Sequence, residues 1–509
     1  MDVLMSFGIA GVVLLLGMAI RGKSKFVQSM LIPAAVLGGV IGFICMNTFI
    51  PALTDKVSFE GYTAIVNTLF TVSFISIGLT RPARQKKTVQ EPSEVKLEKK
   101  GRPKKKKGGP LYRGSMGMGL AWCILFSLQG GLGILLASVV GPLFGMDAVY
   151  GMLIPYGFCQ GPGQAATNGT VYETVYGITN ASQVAITFAV IGFLSAFVVG
   201  VPIAKLGIKL GLTKNSSRLS DSVARGFYTK PEQRQSMGKV TTYDGSVETL
   251  AFHIALIGLS YLVALVFSWL FSFVPAIGSG LSATMYMNGL LGAYVVNAVV
   301  KKLGLDYMQD STLQSKITGF CSDFLVVMAF MSVQLGAVGS WIVPIVIIAV
   351  VITAVTAVVS LFFSQHFGDS NDFERFLGLY GTACGTTPSG LSLVRIVDPA
   401  LSTTTGAELG MMNMPEMLCT FSFVVIMLIA SGVVPPIIGA ALLLVMIPIY
   451  MAIMKITGCL NKRTWSLNAK WNAEHPSIAV SEETSTGRLQ GSLAISPEQT
   501  EEAVQSAMA

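Results

Sequence analysis

Residues 381–390 read Gly-Thr-Ala-Cys-Gly-Thr-Thr-Pro-Ser-Gly, and this stretch decides the fold class. It carries no charge, yet its glycines and proline would interrupt any helix that faced lipid. Irregular backbone at membrane depth is tolerated only where it is buried in protein or lines a cavity. A second uncharged segment over 148–172 is similarly rich in Gly, Ala, Gln and Thr. We therefore predict two re-entrant hairpins, at about 148–172 and about 374–400.

The composition around these segments is that of a membrane protein. Of the 509 residues, 12% are charged and 52% are hydrophobic, whereas soluble domains carry about 25% charged residues. The charges concentrate in 81–113, 205–245 and 455–509, and long uncharged runs separate these segments. A spanning helix needs roughly 20 apolar residues. We predict an all-α polytopic membrane protein with about 11 transmembrane helices and two re-entrant hairpins.

The order of these elements suggests an internal repeat. Each half runs four spans, a hairpin and a further span, and an odd number of spans inverts the second half relative to the first. This is the plan of many inverted-repeat secondary transporters. The predicted organisation is a first inverted repeat over 1–204, a basic cytoplasmic linker over 205–245, a second inverted repeat over 246–431, an extra terminal helix over 432–456 and a polar, disordered cytoplasmic tail over 457–509.

The basic residues predict the orientation. With the N-terminus outside and each hairpin returning to its own side, 34 of the 35 Lys and Arg lie inside, and only Lys56 lies outside. This agrees with the positive-inside rule. The net charge of +8 then indicates contact with the lipid bilayer and its anionic inner surface rather than with nucleic acid. We predict a multi-pass protein of the plasma (inner) membrane with cytoplasmic central loops and a cytoplasmic C-terminus.

Both hairpins combine oxygen-bearing side chains with interrupted backbone. Amide, hydroxyl and carbonyl oxygens suit sodium, and free backbone amides suit an anion. The alternative is that the glycines only permit close packing of helices. The candidate residues for binding substrate and ion are Gln160, Gly161, Gly163, Gln164, Thr167 and Asn168 in hairpin one, and Thr382, Gly385, Thr386, Thr387, Ser389 and Gly390 in hairpin two, with sodium at the tips.

Four charged residues stand beside or within apolar segments, where charge is costly and usually functional. Arg395 could bind a substrate carboxylate bidentately, pair with Asp398, or extend to the inner surface. Asp323 could coordinate the coupling ion, pair with Arg395, or lie at the helix end in contact with water. Glu416 and Asp398 are further candidates for coupling.

Several classes of function are not indicated. The seven cysteines form no Cys-x-x-Cys pair, so neither a disulfide framework nor a zinc site is predicted. We find no phosphate-binding loop and no Ser/His/Asp set. We expect no enzyme activity and no cofactor other than Na⁺ as the coupling ion.

The chain resembles the glutamate:sodium symporter family over most of residues 1–430. The resemblance rests on Gly-Pro-Gly-Gln-Ala-Ala at 161–166, Tyr-Gly-Ile-Thr-Asn-Ala at 176–181, Met-Ala-Phe-Met-Ser-Val at 328–333 and Gly-Thr-Thr-Pro-Ser at 385–389. It implies sodium-coupled inward symport of an acidic amino acid, re-entrant loops at the transport site and a homodimer.

The sequence departs from that family's pattern at Pro162, Gln164, Asp323 and Arg395. These departures keep two carrier functions open. The first is sodium-coupled symport of glutamate or a related acidic amino acid into the cell. The alternative is a cation-coupled carrier of di- or hydroxycarboxylates on the same scaffold, and a channel or membrane enzyme is the third possibility.

Overall fold

The computed structural model describes residues 2–80, 109–213, 221–228, 236–243, 245–399 and 401–474. Within these ranges every regular element is a helix. Most of the basic loop 81–113 and the final 35 residues, with the features predicted for them, lie outside the described residues. The α-helices are α1 (Val3–Lys23), α2 (Lys25–Met30), α3 (Ala34–Thr48), α4 (Ile50–Leu53), α5 (Phe59–Leu79), α6 (Pro110–Val140), α7 (Ile154–Phe158), α8 (Gly161–Tyr176), α9 (Ala181–Lys209), α10 (Asp221–Arg225), α11 (Thr249–Phe271), α12 (Gly278–Ala283), α13 (Met285–Lys302), α14 (Ser311–Met331), α15 (Leu335–Val338), α16 (Ile342–Ser364), α17 (Asp372–Ala383), α18 (Thr387–Val397), α19 (Thr405–Met411), α20 (Asn413–Glu416), α21 (Thr420–Ala430), α22 (Pro436–Thr457) and α23 (Ala469–Glu474).

In the part of the chain that the structure describes, eight helical stretches are long and apolar enough to cross a membrane. The prediction of an all-α polytopic membrane protein is therefore confirmed. The other three of the 11 predicted spans fall on helices that are shorter or more polar, namely α3, α13 and α14. The eight stretches are Val3–Lys23, Phe59–Leu79, Pro110–Phe144, Ala181–Lys209, Thr249–Phe271, Leu335–Ser364, Thr405–Ala430 and Pro436–Thr457.

Side-chain caps begin several of these helices. Asp2 accepts a hydrogen bond from the amide of Met5, and Ser58 accepts one from Gly61. Asp310 accepts from the amides of Leu313 and Lys239. Burial alone would raise the pKa of Asp310, but these backbone donors outweigh it and lower that pKa below its usual value. Such caps satisfy the free amides that every helix start leaves.

The helices pack in two groups. The scaffold group consists of α1, α3, α5 and α11–α14, and the hairpin group consists of α6–α9 and α16–α22. In the predicted repeats, α1, α3 and α5 correspond to α11, α13 and α14. Within the scaffold group, α1 packs along α3, and likewise α11 packs along α13. Across the halves, α3 contacts α14, and likewise α13 contacts α5. Equivalent helices of the two halves thus have interchanged partners. The division into inverted repeats stays a prediction that this packing favours.

Each hairpin consists of two helical legs joined by a short break. In hairpin one, the 3₁₀ turn Ala148–Leu153 and α7 lead to Cys159 and Gln160, and α8 returns. In hairpin two, α17 and α18 flank residues 384–386. The two groups of helices touch chiefly through α8, which packs on α5, α12 and α14. Hairpin one therefore belongs to one group and rests on the other.

The structure differs from the sequence prediction after α22. The sequence predicts a disordered tail over 457–509, but residues 458–474 fold back onto the protein. Cys459, Trp465 and Ser466 are buried there, and the segment ends in the short helix α23.

Candidate functional site

The tips of the two hairpins meet. Gly161, the first residue of α8, has a positive φ of +75°. A Cβ atom built on it would lie 2.5 Å from Cγ2 of Thr386 and 2.9 Å from the carbonyl oxygen of Gly385. Only glycine allows both this conformation and this approach. The structure thus brings together Gly161, Gly385 and Thr386, three of the predicted site residues.

The legs of hairpin two are held together closely. A Cβ on Gly381 would lie 2.7 Å from Cα of Gly390. The hydroxyl of Thr382 donates to the carbonyl of Gly378 in its own helix at 2.8 Å. Gly390 and Thr382 are therefore engaged in packing, whereas the hydroxyls of Thr386 and Ser389 lie 3.3 Å apart beside the tip.

Two helices begin at this junction. Neither α8, which begins at Gly161, nor α18, which begins at Thr387, has a side-chain cap hydrogen bond. Pro162 and Pro388 have no amide N–H, so the amides of Gly161 and Thr387, with the positive ends of the two dipoles, remain available for an anionic group. The preceding legs, α7 and α17, end here, and the last carbonyl oxygens of a helix have no helical partner, which suits them to a cation. The junction can thus serve a carboxylate and a cation side by side.

The predicted residues further along hairpin one face the scaffold group. Tyr286 donates to Oε1 of Gln164 at 3.2 Å, and Thr167 donates to Oδ1 of Asn67 at 3.1 Å. Nδ2 of Asn67 donates in turn to the hydroxyl of Thr170 at 3.1 Å.

Gly163 and Asn168 have other roles in α8. Gly163 packs directly on the ring of Phe70, so any side chain there would collide with that ring. Asn168 donates to the backbone carbonyl of Gln164 at 3.0 Å. Gly163 thus permits the close contact of hairpin one with α5, and Asn168 bonds within its own helix.

Among the described residues, three side-chain oxygens near the tips are buried without a hydrogen-bond donor: Oε1 of Gln160, Gln129 and Glu416. Gln129 donates to the carbonyl of Ala383, at the end of α17, at 3.0 Å. In the same helix as Gln129, the thiol of Cys123 donates to the backbone carbonyl of Glu416 at 3.9 Å. Buried polar atoms are rarely left unpaired, so these oxygens are candidates for ligands of a cation.

Sequence reasoning missed Asn67, Gln129 and Tyr286. The signal that could have found the two amides is a single polar residue within an apolar span, as at Gln129 in α6 and Asn67 in α5. Tyr286 follows a break between helices and offered no comparable signal.

Arg395 lies near the far end of α18, about 12 Å along the helix from Thr387 at 1.5 Å per residue. It is partly exposed, and its charge repels that of Arg21 in α1. The suggested ion pairs of Arg395 with Asp398 and with Asp323 are absent from the described part of the chain. Asp323 is exposed on α14.

Asp398 accepts hydrogen bonds within the loop that follows α18. Its donors are the amide and hydroxyl of Ser402 and the amide of Thr403. Burial alone would raise the pKa of Asp398, but these bonds outweigh it and hold that pKa below its usual value. The geometry gives Asp398 a loop-capping role, and its role in coupling stays a prediction.

A buried ionic cluster at the base of hairpin two was also missed. Arg375 donates to both carboxylate oxygens of Glu408 at 2.7 and 2.6 Å, and to Asp372 at 2.8 Å. It also reaches Asp369 at 3.3 Å and the carbonyl of Pro110 at 3.0 Å. In the sequence these charges look like part of a polar loop. Nothing local shows that Arg375 pairs with Glu408, because the two residues are 33 positions apart.

No group of three or more His, Cys, Asp or Glu side chains in the described residues is suited to hold a metal ion. All seven cysteines are free thiols.

Comparison with known proteins identifies the family. The family described as sodium/glutamate symporter matches residues 1–89 and 108–398. The curated sodium/glutamate symporters of Escherichia coli (strain K12) and Shigella flexneri are each 23% identical to the chain over 403 residues, which is 78% of this chain and 89% of each relative. With its apolar spans and paired hairpins, the chain belongs to the sodium/glutamate symporter family and is an integral membrane transporter, not an enzyme.

Proposed function

We propose that the chain is a sodium-coupled symporter that carries glutamate or a related acidic amino acid into the cell. The observation that carries this proposal is the contact between the two hairpin tips, where Gly161 meets Gly385 and Thr386. Two broken helices that meet inside a transporter provide sites for ions and substrates in many secondary carriers. The names of the matching relatives support the same substrate class.

The substrate carboxylate binds at the amide ends of α8 and α18, next to the hydroxyls of Thr386 and Ser389. Those amides lack side-chain caps, and helix starts attract anions. Specific recognition of a carboxylate at this point does not require Arg395.

Sodium binds beside the substrate and uses the unpaired amide oxygens of Gln129 and Gln160. Glu416 adds a third buried oxygen without a donor, its Oε1, and a bound cation would favour the ionised carboxylate. A bound cation would satisfy all three oxygens and reduce the cost of burying the carboxylate. Ion and substrate then favour each other's binding by the same factor.

Transport requires the hairpin group to move relative to the scaffold group. The contacts of α8 with α5, α12 and α14 form most of the boundary between the groups. We infer that the scaffold group forms a homodimer in the inner membrane. The N-terminus lies outside, and the central loops and the C-terminus are cytoplasmic.

The test is uptake of labelled glutamate into proteoliposomes with an inward sodium gradient, with potassium replacing sodium as the control. Aspartate, malate and citrate serve as competitors. We expect sodium-dependent accumulation that aspartate inhibits more strongly than malate or citrate. Stronger inhibition by malate or citrate would replace the amino-acid substrate with a carboxylate, and flux without accumulation would indicate a channel.

The coupling residues are tested by Glu416→Gln and Asp323→Asn, with Glu60→Gln at an exposed helix start as the matched control. We expect Glu416→Gln to raise the sodium concentration for half-maximal uptake about tenfold, as loss of a buried ligand would. An unchanged sodium curve for either variant would remove that residue from the coupling site.

A further inference from the structure

Residues 458–474, here called the strap, follow α22 and pack against the turn that joins α16 to hairpin two. The backbone amide of Asn461 donates to the carbonyl of His366 at 2.6 Å, and the backbone amide of Thr464 donates to the carbonyl of Gln365 at 2.8 Å. Nδ2 of Asn461 also donates to the carbonyl of Phe367 at 2.9 Å. The strap therefore binds this turn through its backbone as well as its side chains.

An aromatic side chain anchors the strap on the first leg of hairpin two. Trp465 is only 6% exposed. Its ring lies edge-on to Phe373 with 5.0 Å between centroids and 5.9 Å from Phe376. Such aromatic pairs favour edge-to-face contacts of this kind. The contact fixes the strap against α17 itself and not only against the preceding turn.

Asp372 connects the strap to the buried ionic cluster. Its Oδ2 accepts a hydrogen bond from the hydroxyl of Thr464 at 2.7 Å, and its Oδ1 accepts one from Arg375 at 2.8 Å. Arg375 continues to Glu408, in the first helix after hairpin two. A continuous series of hydrogen bonds therefore runs from the strap through α17 to the segment that follows α18.

We propose that the strap positions hairpin two in the transport site, with Thr464 and Trp465 as the positioning residues. The family match ends at residue 398, so the strap is an addition to the part of the chain that the family describes. By fixing Asp372 and Phe373, the strap holds the base of α17, whose other end carries the tip. Its effect on transport rests on the symport function proposed above, whereas its effect on the position of the tip does not.

The test compares two shortened chains, one ending at Leu460 and one ending at Glu474, so that only the second retains the strap. The reporter is Cys384, a buried thiol at the tip of hairpin two, in a background where the other six cysteines are replaced by alanine. The rate of its reaction with N-ethylmaleimide measures how often the tip becomes accessible, and it needs no transported substrate. The second readout is the KM for glutamate uptake.

We expect Cys384 to react about five to ten times faster in the chain ending at Leu460, and KM to rise by a similar factor, as for loss of one typical intramolecular hydrogen bond. The full-length variant Thr464→Val with Trp465→Ala should behave in the same way, and it decides the test if the shorter chain fails to reach the membrane. Lys462→Ala, an exposed position in the same strap, is the matched control.

Equal labelling rates with and without the strap would overturn the proposal. The tip lies about 18 Å along α17 from Asp372, so general destabilisation at the base would not reach it selectively. Faster labelling of Cys384 with an unchanged KM would also overturn the role in transport. Absence of sodium-driven uptake by the wild-type chain would instead refute the symport function and leave the labelling result to decide the strap.

Discussion

Replacing Gly161 with alanine should separate the two hairpin tips. The glycine has a φ of +75°, and an L-residue in that conformation costs about 1–2 kcal/mol. The added Cβ would lie 2.5 Å from Cγ2 of Thr386, whereas carbon atoms in contact normally stay about 3.5 Å apart. The tips must therefore move apart by about 1 Å, or the side chain of Thr386 must rotate away.

Gly177→Ala provides a matched control at the other end of the same helix, α8. Gly177 follows the last residue of α8 and has a φ of +70°, but a Cβ there would have no atom within 4 Å. Both variants therefore carry a similar backbone strain, and only Gly161→Ala disturbs the contact between the hairpins.

The assay is sodium-driven glutamate uptake in proteoliposomes containing equal amounts of each variant. We expect Gly161→Ala to lower Vmax/KM about tenfold to a hundredfold relative to Gly177→Ala, the range that a displacement near 1 Å produces at a preorganised site. Equal kinetics of the two variants would refute the conclusion that the close contact of the tips forms the transport site.

Three further variants test other parts of the structure. Glu408→Gln should destabilise the protein by about 1.5–3 kcal/mol, because buried Arg375 loses a charged partner; an unfolding temperature equal to that of the exposed-site variant Glu60→Gln would contradict this. Arg395→Gln should leave the KM for glutamate within about twofold, since the guanidinium lies two helical turns from the tip, and a rise of tenfold would instead place Arg395 on the substrate. Thr174→Val should lower Vmax about two- to fivefold with little change in KM if α8 slides along α5, because the Thr174 hydroxyl, which donates to the carbonyl of Thr170 in the structure, can no longer pair with Asn67 in the displaced position; an unchanged Vmax would exclude that slide.

The sequence could locate the hairpins because glycine and proline within uncharged segments have a local physical meaning. It could not divide their residues by role. Gly161 and Gly163 look equivalent in the chain, but one meets Thr386 and the other meets the ring of Phe70. Only tertiary contacts between distant segments distinguish them.

The charged residues show the same limit more strongly. Arg395 attracted attention as an isolated charge, while Arg375 stands among acidic residues and looks like part of a solvated loop. The structure reverses this contrast, because Arg375 is completely buried and Arg395 is partly exposed. The strap escaped prediction for a related reason, since its polar residues find partners about 95 positions earlier in the chain.

The bonds of Asn67 with Thr167 and Thr170 have a mechanical consequence. Thr174 continues this series of hydroxyls along α8 at helical spacing. A hydroxyl can both donate and accept, so each threonine can replace the one before it as a partner of the same amide. A displacement by one helical pitch, about 5.4 Å, would restore the polar contacts in a new register. The hairpin group can thus shift by about one turn of α8 against the scaffold group while the half-buried amide of Asn67 keeps hydroxyl partners.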